Sequence, residues 1–204
     1  MGPSLIDLFD SGVEIEPSRP CLVCGDEQVS YREAQRSSYV IANALLRSGV
    51  AQGSRIAVLA HNAARPFLCV LGALRAGCTW VPVNARNAAA ETVQVLNRTE
   101  TDILFYGAAF EAGIDELLVQ CPRISLAVCI DGEGRGARPN LDAWCAGASD
   151  EWRPLQMQDD ALATLACSGG TTGIPKGVMT SHRTWAFRIA EVMSRLAHPA
   201  PVHL

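Results

Sequence analysis

Hydrophobic and polar positions along this chain follow two alternating rhythms. Short, nearly unbroken apolar runs recur at 55–60, 79–83, 102–106, 124–130 and 161–167. A run without a polar face is how a strand reads when both faces of its sheet are covered, as in a parallel sheet. Between these runs lie stretches with helical spacing: 66–75 (Phe67, Leu68, Leu71, Leu74), 88–99 (Val93, Val95, Leu96) and 110–120 (Ile114, Leu117, Leu118). Further upstream, Tyr31, Ala34, Ile41, Ala42, Leu45 and Leu46 define one side of a helix. Ser30 and Glu33 open it as a capping box, and Gly49 closes it. Ahead of that helix, 20–24 and 27–30 read as two strands around a Gly25-Asp26 turn. After the last apolar run come a returning strand at 177–180 and a helix over 182–196, with Ser181 as its cap.

Strand, helix, strand in repetition predicts an α/β fold. The sheet is mostly parallel, with helices on both faces and right-handed crossovers. Residues 131–140 carry Gly132, Gly134, Gly136 and Pro139 and read as an exposed linker, followed by a short helix near 141–146. Two parts are expected. Residues 1–155 hold the α/β sheet, and 156–204 begin a second sheet around a glycine loop.

Composition narrows the function classes. The chain has 204 residues, enough for one good-sized core or two small ones. Its net charge of −4 offers no basic field, so nucleic acid is not an expected partner. No apolar run reaches membrane-spanning length. The first residues lack the basic-then-apolar order of a signal peptide, and Ile6 stands where myristoylation needs Ser or Thr. A cytoplasmic location is expected. Of eight cysteines, only Cys21 and Cys24 form a C-x-x-C. No second pair completes a zinc site, and most of the others sit in apolar runs as small hydrophobes. No metal site is expected from the chain itself.

The chemistry concentrates at 168–178, Ser-Gly-Gly-Thr-Thr-Gly-Ile-Pro-Lys-Gly-Val. Glycine lets a backbone bend tightly and lets a ligand reach its N–H groups. A concave run of such groups binds anions, and Lys176 adds a full positive charge. The Walker A loop of nucleotide hydrolases is excluded at two places. Pro175 stands where that loop has glycine, and Gly177 stands where it has Ser or Thr. The plain alternative is a Gly/Thr-rich turn between two strands. His182 reads as a helix-start residue, and His61-Asn62 as a strand-end turn. Arg86 reads as a solvated loop arginine, and Trp80 and Trp185 as packing residues.

In context the loop resembles the phosphate-loop signature of the adenylate-forming superfamily, T-S-G-T-T-G-x-P-K-G-V, with Gly169 where Ser is commoner. Val29-Ser30-Tyr31-Arg32-Glu33 is similar to that family's early L-T-Y-x-E segment. The stretch from Leu74 to Asn84 is similar to its L-K-A-G-x-x-x-V-P-L-(N/D) segment. The resemblance runs over about 5–195, and Val83-Asn84-Ala85-Arg86 looks more like acyl- or aryl-CoA ligases than peptide-synthetase adenylation domains. It implies ATP, Mg2+ and CoA as co-substrates and a carboxylic acid as the molecule activated. It also implies phosphate binding by Ser168, Gly169, Gly170, Thr171, Thr172, Gly173 and Lys176. Catalytic roles would fall to Lys176 and Thr172.

Family members continue far beyond the loop. The groups that hold adenine, ribose and the acyl chain have no counterpart in 183–204, nor has the second lysine of adenylation. The chain is therefore expected to be the N-terminal part of such an enzyme and inactive alone. It is also expected to carry an exposed sheet edge that favours pairing or a homodimer. The competing reading is a non-catalytic nucleotide-binding or assembly module, or an adenylation domain that uses another thiol.

Overall fold

In the computed structural model, the described residues are 3–158, 160–168 and 176–195. A six-stranded sheet in the order β10-β9-β4-β3-β5-β6 organises them. Its strands are β3 (Arg55–Leu59), β4 (Thr79–Pro82), β5 (Ile103–Tyr106), β6 (Leu126–Cys129), β9 (Leu162–Ser168) and β10 (Lys176–Ser181). All neighbours run parallel except β10, which returns antiparallel along β9. β1 (Pro20–Cys24) and β2 (Glu27–Ser30) form a separate hairpin.

The helices divide between the two faces. α1 (Leu5–Ile15), α2 (Tyr31–Arg47) and α3 (Ala64–Arg75) cover one, packing Ile41, Leu45 and Leu71 with Ile56 and Phe105. α4 (Ala89–Arg98) and α5 (Glu111–Gln120) cover the other, packing Val95, Leu96 and Ile114 with Leu59, Leu104 and Tyr106. The apolar runs are buried throughout in β5, which is the covered-sheet pattern expected from the sequence. α2 and α3 approach closely because Gly72 has no side chain. A Cβ there would lie 2.4 Å from Ile41 Cγ2.

Helix α1 was not expected from the hydrophobic pattern. Ser4 and Asp7 form its capping box, with Ser4 N donating to Asp7 Oδ2 at 2.7 Å and Asp7 N to Ser4 Oγ at 3.2 Å. Its docking is long-range. Buried Arg75 donates to both Asp10 oxygens, at 2.7 and 2.9 Å, and its Nε donates to Ser38 Oγ at 2.9 Å. The guanidinium also lies 4.5 Å from the centre of the Tyr39 ring.

Two expectations are corrected. The strands flanking the glycine loop do not begin a second sheet. Trp80 of β4 pairs with Thr164 of β9, and Thr79 Oγ1 donates to Leu162 O at 3.2 Å. That pairing uses the open edge of β4 and extends the first sheet through β9 to β10. Residues 131–140 are not an exposed linker either. β7 (Gly134–Arg135) and β8 (Arg138–Pro139) form a short hairpin that Arg138 anchors to β5 and α5. α6 (Leu141–Cys145) follows, capped by Asn140.

Candidate phosphate-loop site

Open α/β sheets gather ligands outside the carboxyl ends of their strands. Because β9 runs parallel to β4, Ser168 delivers the chain to that rim. On the return, Lys176 pairs with Ser168, Gly177 with Cys167, and Val178 with Ala166. The two ends of 169–175 therefore stand on one rung of an antiparallel ladder. Gly169, Gly170, Thr171, Thr172 and Gly173 lie outside the described residues. Of the predicted set, the structure brings together Ser168 and Lys176, on the backbone.

β9 is anchored by buried Ala163, Thr164 and Leu165, whereas β10 is the outer edge of the sheet. Val178 is 49% exposed and Met179 69% exposed. The adjoining helix α7 (His182–Arg195) adds exposed Phe187, at 71%. The expectation from the sequence was an exposed apolar sheet edge without a stated position, and these residues are exposed on β10 and α7.

The root of the hairpin is tightly held. His182 N donates to Ala161 O at 3.1 Å, and Trp185 Nε1 donates to Thr164 Oγ1 at 3.0 Å. Ser181 Oγ accepts from Thr184 N at 3.2 Å, as the expected cap of α7. His182 is buried, and its Nδ1 accepts from Leu5 N at 3.4 Å. Its Nε2 is buried with no hydrogen-bond partner among the described residues. Burial lowers the imidazole pKa, with the Asp7 carboxylate pulling the other way.

Elsewhere on the rim, Tyr106 at the end of β5 donates its hydroxyl to Glu111 Oε2 at 2.7 Å. Arg138 Nη2 reaches Glu111 Oε1 at 2.5 Å, its Nε donates to the Tyr106 hydroxyl at 3.2 Å, and it also pairs with Asp115. Burial, reinforced by Glu111, pushes the Tyr106 phenol up to about 12. Burial also pushes the Glu111 carboxyl up, but the hydrogen bonds from Tyr106 and Arg138 outweigh it and hold the group below its usual range. The sequence reading missed this cluster, because its arginine lies in the glycine-rich stretch taken for a linker. A cleft of about 410 Å3 between α4 and α5 is lined by Leu59, Val93, Phe110, Ile114 and Leu117, among others.

The His61 ring lies 5.3 Å from that of Phe110. Arg86 is an exposed loop residue whose N–H donates to Asn84 Oδ1 at 2.9 Å. Trp80 and Trp185 pack against the core. Cys21 and Cys24 are free thiols, and no group of three His, Cys, Asp or Glu able to hold a metal occurs among the described residues.

Strand β9 and edge strand β10 bring Ser168 and Lys176 together on the carboxyl rim of a mainly parallel sheet. The chain belongs to the AMP-binding enzyme family, whose model matches residues 9–203. It is 29% identical over 192 residues to the fatty acid–[acyl-carrier-protein] ligase ScoC of Streptomyces coeruleorubidus, covering 94% of this chain and 35% of that protein. It is 30% identical over 159 residues to the putative acyl–CoA ligase YdaB of Bacillus subtilis, covering 78% of this chain and 31% of that protein. Its fold is similar to the crystal structure of the anthranilate CoA ligase AuaEII in complex with anthranoyl-AMP. There the TM-score is 0.86 at 19% identity, over 92% of this chain and 36% of that one. The chain spans about a third of the length of the curated relatives it matches.

Proposed function

We propose that this chain supplies the phosphate-holding hairpin of an ATP-dependent acid–thiol ligase. The observation that carries the reading is the Ser168–Lys176 rung at the carboxyl rim of the sheet, in a chain matched by the AMP-binding family over 9–203. A carboxylate oxygen attacks the α-phosphorus of ATP and forms an acyl-adenylate. The bond to the β-phosphate breaks, and pyrophosphate leaves with the electron pair. A thiolate then attacks the acyl carbon, a thioester forms, and AMP departs.

Catalysis of the first step is mainly positioning and charge stabilisation. Gly169, Gly170 and Gly173 let backbone N–H groups close on the β- and γ-phosphates. Ser168, Thr171 and Thr172 donate hydroxyls, and Lys176 sets its ammonium against the charge gathering on pyrophosphate. Thr172 and Lys176 are the catalytic pair of this reading. Mg2+ arrives on the ATP phosphates and neutralises part of that charge. CoA is the first-choice thiol. A carrier-protein thiol is the second, supported by the similarity to ScoC.

Calorimetric titration with Mg-ATP tests the reading. Binding that weakens by about tenfold or more in Lys176→Ala, with an unchanged Tm, is expected for loss of one phosphate-facing charge. Equal affinity in the two proteins contradicts it.

A further inference from the structure

We propose that His182 is a positioning residue for the loop: a tether that joins the root of the β9–β10 hairpin to helix α1 while its imidazole is neutral, and lets go when the ring is protonated. The first link is geometric. Leu5 opens α1, and its backbone N–H is one of the donors that a helix start leaves without an intrahelical acceptor. Ser4 Oγ serves Asp7 N, and Asp7 Oδ2 serves Ser4 N. The Leu5 N–H is served across the fold by His182 Nδ1, from 177 residues away. His182 is thus a cap in trans for α1, placed directly after the last residue of β10.

The second link is chemical. Nδ1 accepts only in the neutral ring, and a protonated imidazole donates from both nitrogens. Protonation therefore sets an N–H against an N–H, at the helix end whose dipole already repels positive charge. Burial adds to this, because His182 is only 5% exposed. The charged groups around it do not reverse the sign. Asp7, facing it from α1, favours the cation, but one carboxylate oxygen is taken by Ser4 N. β9 carries no ionisable carboxylate or amine, Arg183 points to Asp160, and Lys176 stands at the far end of β10. The net pKa lies below the ordinary imidazole value of 6.5. For a histidine whose folded pKa is depressed, the contribution is whole above the unfolded value and is lost as pH falls below it. The stability that the tether contributes therefore begins to fall below about pH 6.5, and the tether itself lets go at a lower pH, where the folded ring takes its proton.

Its bearing on nucleotide rests on the proposed phosphate loop, so the test has two arms. In the first, the protection factor of the Leu5 amide is measured by NMR hydrogen exchange from about pH 7.5 down to the pH, about 5 or lower, at which the His182 ring shifts report protonation. We expect about a tenfold or greater loss for the wild-type chain, with the Glu33 amide, capped by Ser30 in α2, as reference. His182→Asn keeps an acceptor at the Nδ1 position without a proton to gain, and its Leu5 protection should stay flat. Equal protection at both pH values in the wild type overturns the tether, as does a parallel loss in His182→Asn. In the second arm, pyrophosphate affinity is compared between the two proteins at each pH, which cancels the ligand's own titration. The wild type should weaken more than His182→Asn towards pH 5. Identical pH dependence overturns the coupling to the loop. No pyrophosphate binding by either protein at any pH overturns the loop reading and leaves Leu5 protection to decide the tether.

Discussion

Ser168 and Lys176 face each other on the first rung of the β9–β10 hairpin, so the glycine loop leaves and re-enters the sheet at one point of its carboxyl rim. A loop pinned at both ends loses less conformational freedom on closing around an anion than one hung from separate elements. The inner strand of that hairpin is buried and its outer strand is not. Changes on the outer strand should therefore alter binding or association more than stability.

The Asp10–Arg75 pair holds α1 to α3 and should act as a unit. Removing the carboxylate with Asp10→Ala leaves a guanidinium that is 1% exposed without its charge partner. Breaking a fully buried pair costs about 3–5 kcal/mol. Asp10 is 29% exposed, so about 2–3 kcal/mol is expected here. The double variant Asp10→Ala/Arg75→Met should be more stable than Asp10→Ala alone. Urea unfolding of the four proteins in the cycle measures the coupling, and simple additivity would count against it.

Gly72 sets the spacing of α2 and α3. Gly72→Ala puts a methyl 2.4 Å from Ile41 Cγ2 and should destabilise by about 1–3 kcal/mol, despite alanine's better helix propensity. Ile41→Val removes a different methyl, Cδ1, and should leave the loss largely intact. Ile41→Ala removes Cγ2 but keeps Cβ, 2.6 Å from the added methyl, so it too should leave much of the loss in place. Thermal unfolding of the variants measures these losses.

The Arg138 cluster predicts an acid limb in stability. The Glu111 carboxyl is held below its usual range in the folded state, so its stabilisation is present above the unfolded value near 4.5 and is lost as pH falls below it. Arg138→Gln removes the partner. The variant should be less stable at neutral pH and should show a shallower loss than wild type below about pH 4.5. Parallel curves for the two proteins would sever this link.

Among the described residues β10 has no strand on its outer side, where Val178 and Met179 are exposed. Self-association at high protein concentration is expected, and Met179→Lys should reduce it with little change in Tm, as for other exposed substitutions. Sedimentation of both proteins at matched concentrations reads the effect. A wild-type chain that stays monomeric throughout would refute the pairing.

Much of this fold is written locally. The covered strands 55–59 and 103–106 carry almost nothing but apolar residues, and Ser30 with Glu33 marks the start of α2 in four residues. The signature of the proposed phosphate loop is equally local, because that chemistry would need small residues and a lysine close together. What eluded the sequence is held from afar. α1 contains Ser11 and Gly12 and is secured by Arg75, 65 residues on from Asp10, and by His182, 177 residues on from Leu5. Gly12 lies close to α2 there, since a Cβ would sit 3.0 Å from Tyr31 Cε1. Arg138 sits among glycines that suggest a linker, while its partners lie on β5 and α5. The choice between a second sheet and an extension of the first rests on the Trp80–Thr164 pairing, which no local pattern announces.

The central claim is that 168–176 grips nucleotide phosphate, and amide chemical shifts of the isotope-labelled chain during a Mg-ATP titration test it most directly. The account predicts that the amides of Gly169, Gly170, Thr171, Thr172, Gly173 and Lys176 move together along one binding curve, and that Lys176→Ala shifts that curve to higher ligand concentration. No change in these amides at saturating Mg-ATP, or changes confined to the cleft between α4 and α5, would contradict it.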